Sequence, residues 1–237
     1  FSLDLLAAFH ALVFGKYDLI HVHNIEASFV IPLLRIRFRV ITTAHGRTYT
    51  VEKWSRLARK IIRLMEYPFV FLSSAATSVS QQYAKDCQHR YGRFLHYIPN
   101  GVDPSPQVDS LKAAAIIRDN GVNTDRYIMF AAGRIIPLKG CHLLITAFRN
   151  LTNNCHLVIV GDLTHMPVYG QRLRQMATDD ERIHFVPFIS SKEQLLGIVQ
   201  DAELFVFPST NEAMSLMLLE VAILGIPLVC SDIPANT

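Results

Sequence analysis

Two carboxylates eight positions apart, Glu212 and Glu220, lie in the segment PSTNEAMSLMLLEVAILGIPLV at 208–229. A fully helical path would separate them by roughly 12 Å of rise. The two carboxyls of a glycosidase sit only roughly 5–10 Å apart. The pair therefore suits one extended ligand gripped at two points; the alternative is a capping Glu212 and an exposed Glu220. Met217, Leu218, Leu219, Val221 and Ala222 flank Glu220, and a carboxylate in so apolar a helix calls for a partner. Between the two carboxylates, the N–H groups near Ser215 and Leu216 open a helix and would hold a phosphate. Upstream, GRIIPLKG at 133–140 puts Gly133 at a strand end and Arg134 and Lys139 beside a helix start. Two cations with backbone N–H groups suit a diphosphate, although a lone Arg and Lys would read as solvated loop charges.

These residues need elements to place them. The chain reads as strands near 17–23, 39–46, 76–80, 94–101, 127–133, 156–161, 183–187, 204–208 and 227–231. Between them come helical patterns, including 51–72, 139–151, 169–177, 191–200 and 214–224. Near-continuous apolar strands alternating with helices indicate a parallel sheet covered on both faces. Such sheets bind ligands beyond the carboxyl ends of their strands. His45-Gly46, Asn100-Gly101, Gly133-Arg134, Gly161-Asp162 and Ser209 to Glu212 all follow strand candidates.

Composition narrows the class. The chain has 237 residues, 50% apolar and 18% charged, which excludes disorder and a disulfide scaffold. Residues 1–108 carry 13 Lys/Arg against 7 Asp/Glu, and residues 109–237 carry 10 against 13. That asymmetry predicts two domains, 1–108 and 109–237, joined near the Pro- and Gly-containing GVDPSPQVD at 101–109. The small net charge of +3 and the lack of an RNA or DNA motif argue against a nucleic-acid partner. Cys87, Cys141, Cys155 and Cys230 have no CxxC spacing and read as reduced thiols of a cytoplasmic protein. No histidine trio has zinc-ligand spacing, and His21 and His23, alternating on a strand, read as structural. The chain opens within a helical pattern without an initiator Met and closes just past a strand, so it is expected to be the middle of a longer enzyme.

The E-x7-E pair Glu212…Glu220, with GRIIPLKG, IPNGVD at 98–103 and VGD at 160–162, resembles the family 4 glycosyltransferases, the glycosyl transferases group 1. Four motifs in the right order, spread over residues 17–237, carry the resemblance. It implies the GT-B fold: two Rossmann-like α/β domains whose parallel sheets face across a cleft, the N-terminal one incomplete here. It implies a retaining transferase that moves a hexosyl group from a nucleotide-diphosphate sugar to a glycan or lipid-linked acceptor, in cell-surface polysaccharide or glycolipid synthesis. Arg134 and Lys139 would bind the diphosphate and offset the leaving group's charge. Glu220 would accept from the ribose hydroxyls, Glu212 would contact the donor sugar, and His45 would approach that sugar from the first domain. Phe188 and Ile189 match the loop whose backbone reads the base. No cofactor is implied, and the absence of an Asp-x-Asp motif agrees with the family's metal-independent chemistry.

Two positions depart from the family. Ala213 stands where a glycine follows the first Glu, which would strain any φ > 0 requirement, and Pro187 replaces the glycine of the base-reading loop. Other GT-B enzymes, a phosphorylase or an epimerase, share the fold, and a degenerate copy would act as a binding module. A further reading concerns RIRFR at 35–39 and WSRLARKIIR at 54–63. Their cations, with Trp54, Leu57, Ile61, Ile62 and Leu64, read as a solvated face over a core stripe, or as a peripheral contact with the cytoplasmic membrane face.

Overall fold

The computed structural model describes residues 1–47, 49, 55–122 and 126–236; Trp54 and the start of the 51–72 pattern lie outside them. The chain divides into two compact units, Phe1–Asn100 and Gly101–Thr237.

The first unit runs α1 (Ser2–Phe14), β1 (Leu19–His23), a 3₁₀ segment (Ile25–Val30), α2 (Ile31–Leu34), β2 (Arg39–Ala44), α3 (Arg56–Leu64), a π-helical turn (Pro68–Leu72), β3 (Ala75–Ser78), α4 (Gln81–Tyr91) and β4 (His96–Tyr97). Its strands pair in parallel in the order β1-β2-β3-β4. Ser55 and Ser80 cap α3 and α4 by accepting from Ala58 and Tyr83 N–H, and Gly92, at φ 64, ends α4 in the left-handed conformation that glycine adopts without a Cβ clash.

The apolar positions of α3 do not form a core stripe. Only Ile62 of this helix is buried, whereas Leu57 (68%), Ile61 (41%) and Leu64 (69%) are exposed. The packing reason is the next turn: Glu66, Phe69 and Val70, just beyond the helix, turn inward with Ile62 and leave the rest of α3 to solvent.

The second unit runs α5 (Ser110–Asp119), β5 (Tyr127–Arg134), a 3₁₀ turn (Pro137–Lys139), α6 (Cys141–Phe148), β6 (His156–Asp162), α7 (Pro167–Ala177), β7 (Ile183–Val186), α8 (Lys192–Gln200), β8 (Leu204–Phe207), α9 (Leu216–Ile223) and β9 (Leu228–Cys230). The parallel order is β7-β6-β5-β8-β9. Both faces of this sheet are covered. Met129, Ala131, Val158 and Val160 enter one core with Ile198, Val199 and Phe205. The intervening Phe130, Leu157 and Ile159 enter the other with Leu144, Ile145, Phe148 and Leu173. Period-two alternation thus feeds two apolar layers, each fully buried side chain contributing about 1.5–3 kcal/mol. Helix α5, which the sequence pattern did not reveal, is capped by Asp109, whose carboxylate accepts from Lys112 N–H at 3.1 Å. It lies so close to α8 that a Cβ on Gly197 would come within 2.6 Å of the Ala113 Cβ.

Candidate functional site

In the second unit the strand order reverses between β5 and β8, and connections leave these neighbours in opposite directions. That is where an open α/β sheet has its ligand crevice. Arg134 ends β5, and Ser209 to Glu212 follow β8. Thr210 ties the two loops together through one carbonyl. Its N–H donates to Leu138 O at 2.8 Å, and its hydroxyl lies 3.2 Å from the same oxygen. Gly140 permits the approach. It sits at φ +72, and a Cβ there would lie 2.0 Å from Pro208 O.

The result is a formed ion pair. Lys139 Nζ donates to Glu212 Oε1 at 2.6 Å, and the Ser209 hydroxyl donates to the same oxygen at 2.6 Å. Ser209 is fully buried, and the Lys139 ammonium also lies 5.5 Å from the Phe207 ring centroid. Arg134 is exposed and, among the described residues, makes no ion pair. One cation is therefore anchored and the other is open to a ligand. Ala213 is not strained, since Asn24 is the only non-glycine residue at positive φ among those described.

The remaining residues converge on the same unit. The nearest atom that a Cβ on Gly133 would meet is Phe188 Cε2, at 3.8 Å. Phe188 itself is exposed, while Ile189 packs on the core. Ser215 caps α9, accepting from Leu218 N–H at 3.4 Å, so Leu216 begins the helix with the unpaired N–H groups of a first turn. Glu220 has the partner its apolar surroundings demanded: Lys192 Nζ, from the first residue of α8, donates to Glu220 Oε1 at 2.7 Å. That bond raises the Lys192 pKa. Lys192 was not singled out from the sequence; the signal available was the need of Glu220 for a counter-charge. After β6, Asp162 accepts from Thr164 N–H and Oγ1 at 2.7 and 2.6 Å, which closes the loop and lowers its pKa.

His45 belongs to the first unit, just after β2. It is not isolated: His23 Nδ1 lies 2.9 Å from His45 Nε2. Burial, and then the neighbouring His23, hold the His45 pKa below the ordinary imidazole value. The sequence had marked His23 as structural. Among the described residues, no group of three or more His, Cys, Asp or Glu side chains is arranged to hold a metal ion, and no helix is long and apolar enough to cross a membrane.

The first unit also hides a carboxylate that spacing did not reveal. Glu66 is fully buried and accepts from Tyr49 and Tyr83 hydroxyls at Oε1 (2.9 and 3.0 Å). Its Oε2 accepts from Tyr91 OH at 2.6 Å and Arg90 Nη1 at 3.0 Å. Four donors satisfy one buried charge, which is how such a group is tolerated.

With this geometry in place, relatives give it a context. Residues 113–237, more than half the chain, match the family Glycosyl transferases group 1, and residues 1–106 match Glycosyltransferase Family 4. A D-inositol 3-phosphate glycosyltransferase of Xylanimonas cellulosilytica is 26% identical over 236 residues, which cover 92% of this chain and 56% of that protein. A UDP-Gal:alpha-D-GlcNAc-diphosphoundecaprenol alpha-1,3-galactosyltransferase of Escherichia coli is 24% identical over 260 residues, 98% of this chain and 62% of that protein. Among solved structures, Anabaena HepE in complex with UDP and glucose superposes with a TM-score of 0.80 at 22% identity, over 99% of this chain and 64% of that one. Sucrose-phosphate synthase of Thermosynechococcus elongatus gives 0.76 at 22% identity, over 98% and 60%. The structural likenesses show the fold, two parallel α/β units of the GT-B class. The chain spans less than two thirds of the length of each of these proteins.

Proposed function

The chain belongs to the glycosyl transferases group 1 family, and from that premise we propose that it serves sugar transfer from a nucleotide-diphosphate sugar, bound by its second unit, to a glycan or lipid-linked acceptor. The observation that carries this reading is the convergence of Arg134, Lys139 and Glu212 at the β5–β8 switch point, with Lys139 and Glu212 already paired at 2.6 Å. The open Arg134 guanidinium takes the diphosphate, with Lys139, which spends one of its three donors on Glu212, and the N–H groups at Ser215 and Leu216. These groups offset the charge that grows on the departing diphosphate, an electrostatic contribution made without reorganisation. Glu212 Oε2 is left for a donor-sugar hydroxyl. Glu220 accepts from the ribose, the loop at Phe188 and Ile189 takes the base, and His45 contacts the sugar. The UDP and glucose bound to HepE, and the UDP-Gal named for the E. coli relative, support a nucleotide-sugar donor. Retention of configuration, a hexosyl donor and a role in surface polysaccharide or glycolipid synthesis complete the reading.

We assign the acceptor side a peripheral contact with the anionic cytoplasmic membrane face through α3. Exposed Leu57, Ile61 and Leu64 recur at helical spacing on one stripe, beside exposed Arg56, Lys60 and Arg63. The helix RLARKIIRL has four cations and no acid, the pattern of an interfacial helix.

The test is donor binding by the full-length protein across UDP-, GDP- and ADP-sugars. One of them binds, and Lys139→Ala and Glu220→Ala each weaken that binding at least about tenfold, the loss of a charge-assisted contact. No binding in the whole panel, or unchanged binding in both variants, overturns the reading.

A further inference from the structure

His45 receives help from outside the residues so far assigned. We propose that His23 is a positioning residue for His45: their Nδ1–Nε2 hydrogen bond commits one nitrogen of His45 to the protein and leaves Nδ1, which has no hydrogen bond among the described residues, to meet the sugar. The inference rests on the reading of His45 as a sugar contact.

Thr77 Oγ1 lies 3.1 Å from Thr42 O and 2.6 Å from Thr43 Oγ1. Thr43 Oγ1 in turn lies 2.7 Å from His21 Nε2. Two hydroxyls, from β2 and β3, thus anchor the His21 ring. The His21 ring packs 4.0 Å from that of His23, centroid to centroid, and the His23 ring lies 5.2 Å from that of His45 at an interplanar angle of 27°. His23 is therefore held between an anchored ring and the ring it serves. The bond between His23 Nδ1 and His45 Nε2, at 2.9 Å, has room for one proton. A second would set two N–H groups against each other, so the two rings are not both cationic; burial first, and then the neighbouring His23, hold the His45 pKa below the ordinary value. The backbone supports the arrangement. Asn24, next to His23, sits at φ 69 and ψ 152, a region that non-glycine residues avoid, and its N–H donates to Thr43 O at 2.9 Å. The i, i+2 spacing of His21 and His23 puts both rings on one side of β1, which reading them as separate structural histidines had missed.

The experiment uses the full-length protein with ¹⁵N-labelled histidine, in wild type, His23→Leu, His23→Asn and His45→Ala. An Asn amide occupies the place of Nδ1 but does not titrate. In wild type, His45 shows one tautomer; in His23→Leu its two nitrogens average, and in His23→Asn a single tautomer returns. Turnover follows: His23→Leu lowers kcat about tenfold with donor KM nearly unchanged, as expected for a misaligned rather than missing contact, and His23→Asn recovers most of it. Unchanged His45 nitrogens in His23→Leu, or wild-type kcat in His23→Leu beside an inactive His45→Ala, overturn the proposal. Absence of transfer by wild type with every donor overturns the transferase reading instead, and the nitrogen spectra still decide whether His23 holds His45.

Discussion

Lys139 and Glu212, 73 positions apart in sequence, form a 2.6 Å ion pair because two loops after neighbouring strands share the carbonyl of Leu138. The pair is partly buried, with side-chain exposures of 26% and 12%. Removing one partner strands the other's charge. Lys139→Met and Glu212→Gln are each expected to destabilise the second unit, and their double-mutant cycle to show a coupling of about 1–2 kcal/mol in denaturant unfolding. Additive effects would show that the two side chains are not coupled.

Glu220 should matter for affinity more than for turnover. Glu220→Gln keeps the shape but loses the charged acceptor, so donor binding measured by calorimetry with UDP or the active nucleotide is expected to weaken about tenfold or more, with kcat largely kept. The same substitution removes the bond that raises the Lys192 pKa, so the Lys192 ammonium titrates at lower pH in that variant.

Glu66 is the stability hub of the first unit. With four donors aimed at it and no exposure, Glu66→Ala leaves three hydroxyls and a guanidinium without their acceptor. The expected cost is about 3–5 kcal/mol, read as a lowered unfolding midpoint of that unit. A loss below about 1 kcal/mol would contradict the hub.

Acid should weaken the fold before carboxylates protonate. His21 and His45 are held below the ordinary 6.5, by burial first and then by His23. His184 is lowered likewise, by burial first and then by His156. Unfolded, these imidazoles bind protons that the native state refuses, so stability is full above about pH 6.5 and is lost as pH falls below that value. Thermal midpoints from pH 8 to 5 are expected to drop on the acid side, and less so in His21→Gln. A midpoint flat across this range would remove these histidines from the balance.

The proposed membrane contact through α3 can be tested separately from folding. Leu57→Ser with Leu64→Ser alters only exposed positions, so the thermal midpoint should hold while flotation with phosphatidylglycerol vesicles is lost. Arg56→Gln with Lys60→Gln should weaken vesicle binding about thirtyfold, at about 1 kcal/mol per cation. Binding equal to wild type in both pairs would leave α3 an ordinary solvated helix.

Much of this was legible in the chain itself. Near-continuous apolar runs placed the strands of the second unit to within a residue or two, and Gly133, Arg134 and Glu212 fall at or just after strand ends, because hydrophobic runs and loop chemistry are local properties. Helix α5 escaped because its short apolar run follows directly on the Pro-rich segment 101–109. The sequence left open whether Leu57, Ile61 and Leu64 are covered, because an amphipathic pattern does not say which face is covered. Partner choice was decided by tertiary structure alone. That Lys139 meets Glu212, that Lys192 answers Glu220, that His23 holds His45, and that three tyrosines and Arg90 close on Glu66 all depend on side chains brought together from distant segments. Sequence can state that a buried charge needs a counterpart; only the crossing of strands and helices in space selects which one it finds.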